Sequence, residues 1–136
     1  YSPWGWEEGV TLDLLGAKFA VTKGVSVLQS GASTLAFSDG LLSTNVNKAV
    51  DIASTNKVTN VPATDKTFAV AIVSTTGDVK GTFTPDETNN PKVKTAFKGK
   101  VYQKGSNPGA YGFFLSPKPK VIDGLGESGG FSLTHN

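Results

Sequence analysis

Residues Lys66 to Lys104 read KTFAVAIVSTTGDVKGTFTPDETNNPKVKTAFKGKVYQK, and their alternation decides the fold. The run Thr67 to Ser74 sets Phe68, Val70 and Ile72 against Ala69, Ala71 and Val73. Both faces are apolar, which predicts a central strand. Thr75-Thr76-Gly77-Asp78 predicts a tight turn, with Gly77 supplying a positive φ. A second strand follows, with Val79, Gly81 and Phe83 inward and Lys80, Thr82 and Thr84 outward, ending where Pro85 removes a ladder donor. A third places Thr95, Phe97, Gly99, Val101 and Gln103 on one face and Lys98, Lys100 and Tyr102 on the other. Gly81 and Gly99 therefore fall on inward faces, where a missing side chain signals a sharp bend or a close approach. A coiled sheet or small barrel satisfies both.

Outward from this block, short alternating runs between glycine-centred turns continue the pattern. Val10 to Leu15, Lys18 to Thr22, Val25 to Gln29 and Thr34 to Ser38 read as strands, as do Lys48 to Ala53, Lys57 to Val61, Ala110 to Ser116 and Gly130 to Thr134. In the strand after Pro108, Tyr111, Phe113 and Leu115 share one face. The expectation is all-β: a single-domain antiparallel up-and-down barrel or barrel-like sandwich of about nine to eleven strands. Its interior is expected to hold Phe68, Val70, Ile72, Phe83, Phe97, Val101, Phe113 and Leu133. Residues 1–9, YSPWGWEEG, form an aromatic N-terminal arm ahead of this β domain, residues 10–136.

Length suits one domain, because 136 residues fall in the usual range of roughly 100 to 150. With 16 Gly and 7 Pro the composition is rich in turns, and with no Cys no disulfide forms. No apolar run approaches the roughly 18 residues of a membrane-spanning helix. The net charge is only +2, but it is unevenly spread. All 13 basic residues are Lys, and Lys92, Lys94, Lys98, Lys100, Lys104, Lys118 and Lys120 lie in a window without an acid, while Glu7, Glu8 and Asp13 open the chain. Lysines of this kind keep exposed strands soluble and block edge pairing. The lack of Arg disfavours bidentate phosphate or guanine recognition. The sequence contains no Met, so processing is the expected origin of Tyr1.

The motifs Gly81-Thr82-Phe83-Thr84-Pro85, Phe97-Lys98-Gly99-Lys100-Val101-Tyr102-Gln103-Lys104, Gly112-Phe113-Phe114-Leu115 and Ser128-Gly129-Gly130-Phe131-Ser132-Leu133 follow one another in order. With Thr34 to Gly40 and Lys57-Val58-Thr59 upstream, this arrangement resembles a β-rich domain found near the C-termini of large secreted and surface proteins of planctomycete and verrucomicrobial bacteria. The resemblance covers roughly residues 34 to 134. It departs at Lys100, where the family more often has an apolar residue, and at Lys118 to Glu127, which reads as an insertion. The aromatic arm has no counterpart. The resemblance implies an extracellular or cell-surface location, with no catalytic role attached.

Catalysis needs a positioned acid, base, nucleophile or metal. The single His, His135, stands one residue from the end, where fraying is expected, and Glu7-Glu8 and Asp86-Glu87 point to opposite sides of an extended chain. Asp86 to Asn90 is oxygen-rich but lacks regular ligand spacing, so a solvated connection is favoured over a Ca²⁺ loop. No cofactor or metal is expected. These observations predict a non-enzymatic extracellular structural or adhesive protein that assembles head to tail with copies of itself. The assembly candidates are Tyr1, Trp4, Trp6, Glu7 and Glu8 of the arm and Lys98, Lys100 and Tyr102 of the receiving region. Val10 to Leu15 is the segment available to extend a neighbour's sheet edge. In the competing arrangement Trp4 and Trp6 plug the end of their own barrel. The alternative function is carbohydrate binding through Trp4, Trp6, Tyr102 and Tyr111. Oligonucleotide binding, suggested by Ala110 to Phe114 beside Lys98, Lys100 and Tyr102, is less favoured, because core aromatics explain that run more simply.

Overall fold

Buried and exposed side chains alternate along eight strands among the residues described by the computed structural model, which are 16, 18–85, 93–116 and 127–136. The strands are β1 (Gly31–Asp39), β2 (Val46–Ile52), β3 (Val58–Val61), β4 (Phe68–Val73), β5 (Asp78–Phe83), β6 (Thr95–Tyr102), β7 (Gly109–Leu115) and β8 (Ser128–His135). They form one antiparallel sheet in the order β3-β2-β1-β8-β7-β6-β5-β4. Sequential neighbours pair except β3 and β4, β8 returns to β1, and the sheet curls into a nearly closed barrel. Among the described residues, no helix is long and apolar enough to cross a membrane.

What curls the sheet is the interior. Phe37, Phe83, Phe97, Phe114 and Phe131 pack against one another, with Phe37 stacked on Phe83 at 3.9 Å between centroids and Phe97 tilted against Phe131 at 4.7 Å. These rings lie over strand glycines on their neighbours. Gly81 pairs with Phe97, Gly112 with Phe131 and Gly129 with Phe114. A Cβ at Gly81 would lie 2.4 Å from the Phe97 ring and 2.1 Å from the Ala69 carbonyl oxygen, and one at Gly129 would lie 2.2 Å from Phe114. At Gly99 a Cβ would meet the Tyr111 carbonyl oxygen at 2.1 Å. Phe68, Val101 and Leu133 complete the interior as expected, with Val70 and Ile72 half-buried against it.

The barrel closes without a last ladder. β3 and β4 are consecutive in sequence yet share no strand pairing, and side chains bridge the seam instead. Asn60 Nδ2 donates to the carbonyl oxygens of Asp65 and Phe68 at 2.7 and 2.9 Å. Lys48 Nζ donates to Asp65 Oδ2 at 3.2 Å and to Thr67 Oγ1 at 2.9 Å. The Thr67 hydroxyl and N–H, donating to Asp65 Oδ1, hold the Asp65 carboxyl down at about 2, with Lys48 adding to the effect.

Residues 18–30 cross the barrel end at which β6 finishes. Gln103 fastens them, accepting from Ala20 N at 2.8 Å and donating to Ala20 O at 2.9 Å, while Asn56 Oδ1 accepts from Val27 N at 2.7 Å. Lys18 to Thr22 and Val25 to Gln29 are therefore not strands, which accounts for eight described strands where nine to eleven were expected. The reason is visible in burial: adjacent Val27 and Leu28 both turn into the barrel end, breaking a period of two, while Val25 is exposed. Val10 to Leu15 lies outside the described residues.

Three further expectations are corrected. β4 is a terminal strand, with β5 its only ladder partner among the described residues; its apolar outer face carries Ala69 and Ala71, small enough to stand in solvent, with half-buried Val73. Phe113 is outward and Phe114 inward, since the register that opposes Gly112 to both Gly99 and Phe131 fixes the face of every β7 residue. His135 is not frayed: it ends β8 opposite Ser33.

Gly81→Val and Gly99→Val are expected to destabilise the domain by clearly more than the ~1 kcal/mol span of strand propensity. Gly130→Ala, whose Cβ would meet only ordinary contacts beginning at 3.7 Å from Ser38, should stay within about 0.5 kcal/mol in the same denaturant titration. Because the folded-state pKa of Asp65 lies below its ordinary value of 3.8, the unfolded chain binds more protons in between, and stability falls as pH drops from about 4 to about 2. Asp65→Asn should flatten that part of the curve of melting temperature against pH.

Candidate functional site

A barrel filled by phenylalanine leaves its outer faces and ends for binding. After Ala96, the outer side chains of β6 are Lys98, Lys100 and Tyr102, so the three sequence-predicted residues stand in one row. Register sets Phe113 opposite Lys98 and Tyr111 opposite Lys100 on β7, and Lys80 opposite Lys98 and Asp78 opposite Lys100 on β5. The acid-free window of the sequence is thus not acid-free in space. Lys100 Nζ meets Asp78 Oδ1 at 2.7 Å. That pairing, with the Thr76 hydroxyl, lowers the Asp78 carboxyl from its ordinary value. The pair is exposed and contributes little stability.

Lys98 differs. Its Nζ sits 5.3 Å from the Phe113 ring centroid, and its direct neighbour across the ladder is another cation, Lys80. Like charges directly opposite on adjacent strands are destabilising. Beyond them, where β6 begins and β7 ends, Val93, Phe113 and Leu115 are 45%, 44% and 62% exposed. They border a shallow cleft of about 480 Å³ that Lys94 and Lys98 also line. The face therefore offers aromatic and aliphatic surface edged by cations, suited to a ligand with both apolar and anionic groups.

At the opposite end, Tyr102 and Tyr111 meet edge to face at 5.8 Å, and the Tyr111 hydroxyl donates to Asn107 O at 2.9 Å. Tyr111 also borders a groove of about 1100 Å³ between residues 24–30 and the loop after β6, lined by Ser26, Ser30, Gln103, Asn107 and His135 among others. Tyr1, Trp4, Trp6, Glu7 and Glu8 lie outside the described residues, as does Asp86 to Asn90. No group of three His, Cys, Asp or Glu comes together among the described residues.

Sequence reasoning missed Lys80, Val93, Phe113 and Leu115 as surface partners of Lys98. One signal was present: Phe113 and Phe114 are adjacent in a strand, so one of them had to face out. The core explanation offered for Ala110 to Phe114 holds for Ala110 and Phe114 only. No family model, curated protein or solved structure matches this chain.

Replacing one of the opposed lysines checks that the face carries an electrostatic cost. Lys80→Glu should stabilise the domain by roughly 0.2 to 1 kcal/mol at low salt by pairing with Lys98, with the gain shrinking as salt is added. An unchanged or lowered melting temperature at low salt would contradict the opposition.

Proposed function

We propose that this chain is a non-enzymatic extracellular structural or adhesive domain that assembles with copies of itself. The observation that carries the reading is the outer face of β5, β6 and β7, where opposed Lys80 and Lys98 adjoin exposed Phe113 and Leu115. A surface that leaves like charges opposed and large apolar groups in water loses stability that a contacting partner restores. The arm has the matching composition, with Trp4 and Trp6 beside Glu7 and Glu8. The extracellular placement rests on the resemblance to secreted and surface β domains.

Tyr102 and Tyr111 favour a second reading, polysaccharide binding, because Tyr111, against which Tyr102 packs, borders a groove lined by hydroxyl and amide groups. Retention on insoluble polysaccharide that is lost in Tyr111→Ala would support it; no retention removes it.

Sedimentation of the intact chain tests the first reading. Assembly should grow with concentration and weaken with salt, and deletion of Tyr1 to Gly9 should give folded monomers with unchanged melting. A chain that stays monomeric at high concentration and low salt overturns the reading. A deletion that instead lowers the melting temperature without changing the oligomeric state assigns the arm to its own barrel.

A further inference from the structure

The two barrel ends are chemically different, and the difference has a direction. The chain enters the described domain where β6 finishes: Ala20 is tied to Gln103, and a Cβ at Gly77, before β5, would lie 2.7 Å from the Phe19 ring. The apolar cleft opens where β6 begins, beside Val93 and Thr95. An eight-residue strand separates them, roughly 26 Å at the usual rise. Copies stacked in one orientation would set the first described residues of one toward the cleft of the next.

We propose that the cleft formed by Val93, Phe113 and Leu115 receives Trp4 and Trp6 of a second copy, with Glu7 and Glu8 of that arm set against Lys80, Lys94 and Lys98. The proposal rests on the self-assembly reading above and names its receptor. Three observations converge on this occupant. The apolar groups are exposed on an outer face, where they contribute nothing to the core, and aromatic anchors dominate the energy of small contacts. Among the described residues no ion pair forms at Lys80, Lys94 or Lys98: Asp78 bonds Lys100 and reaches Lys80 only through its longer-range field, and Lys80 and Lys98 oppose each other. Glu127 stands at this same barrel end, next to the Leu115–Ser128 pair, where its backbone N–H donates to Ser116 Oγ at 2.7 Å, and among the described residues no ion pair joins it to Lys80, Lys94 or Lys98. An aromatic and acidic segment meets both requirements, and Trp4 to Glu8 carries both within five residues. Because donor and receptor are different surfaces, the contact is head to tail and repeats into an open filament.

The test uses the full chain and analytical ultracentrifugation at low salt. Leu115→Ser changes an exposed side chain and should leave melting unchanged while raising the concentration needed for assembly about tenfold or more. Lys80→Glu with Lys98→Glu should do the same, and adding Glu7→Lys with Glu8→Lys in the same chain should restore assembly. A synthetic peptide of residues 1–9 should inhibit assembly of the intact chain and bind it with a shift in tryptophan emission that Leu115→Ser removes. If the chain assembles but neither the serine variant nor the charge reversal weakens it, the cleft is not the receptor, while the self-assembly reading stands. Absence of any assembly overturns both. A monomer whose tryptophan emission responds to Leu115→Ser at every concentration places the arm in its own cleft and overturns the proposal. Binding of a fluorescent oligonucleotide that is lost on charge reversal, with assembly unaffected, assigns the lysines to nucleic acid and overturns it as well.

Discussion

Glycine facing phenylalanine across neighbouring strands is the contact on which this barrel depends. Strands in a sheet lie about 4.8 Å apart, and an inward Cβ on each would hold the rings off the backbone. Where Gly81, Gly112 and Gly129 stand opposite Phe97, Phe131 and Phe114, the ring covers the neighbouring strand directly. The sheet bends around the rings instead of lying flat. Five phenylalanines then fill one interior in mutual contact. Eight strands enclose a space that side chains just fill, and here aromatic side chains fill it.

Closing the barrel takes a different chemistry. A sheet with β3 and β4 at its two margins has backbone donors and acceptors left over along the seam. Asn60 takes up carbonyls of the opposite margin, and Lys48 with Asp65 and Thr67 supplies a half-buried polar clasp. The clasp is specific in geometry and modest in energy, so the apolar interior sets the shape and the seam sets where the shape ends. At one barrel end, residues 18–30 add a strap held by Gln103 and Asn56.

A filled interior leaves the outer faces and the ends as the open surfaces of the barrel. The outer face of β5 to β7 keeps features that stability alone would not favour: Lys80 opposite Lys98, and Leu115 and Phe113 in solvent. Local conflicts of this kind are expected at functional or strained sites. The polar groove beside Tyr111 lies at the other end, so the two surfaces are spatially separate.

Much of the architecture was legible in the residues from Thr67 to Tyr102, because period-two alternation is a local property and survives without knowledge of neighbours. The inward positions of Phe83, Phe97 and Val101, the turn at Gly77 and the crowding at Gly81 and Gly99 all follow from it. Where alternation is degenerate, the reading depends on the partner strand. Tyr111-Gly112-Phe113-Phe114-Leu115 fits either face equally well by hydrophobicity, and only the register against Gly99 and Phe131 put Phe114 inside. The apolar β4 looked central because its composition cannot reveal which neighbour is missing. Lys18 to Gln29 has strand-like spacing, yet the barrel end needed a cover more than the sheet needed another strand. Of the site, the row Lys98, Lys100 and Tyr102 was determined by sequence alone. The neutralisation of Lys100 by Asp78 and the opposition of Lys98 to Lys80 were decided only by tertiary structure, because charge pairing is set by distance in space and a sequence window does not measure it.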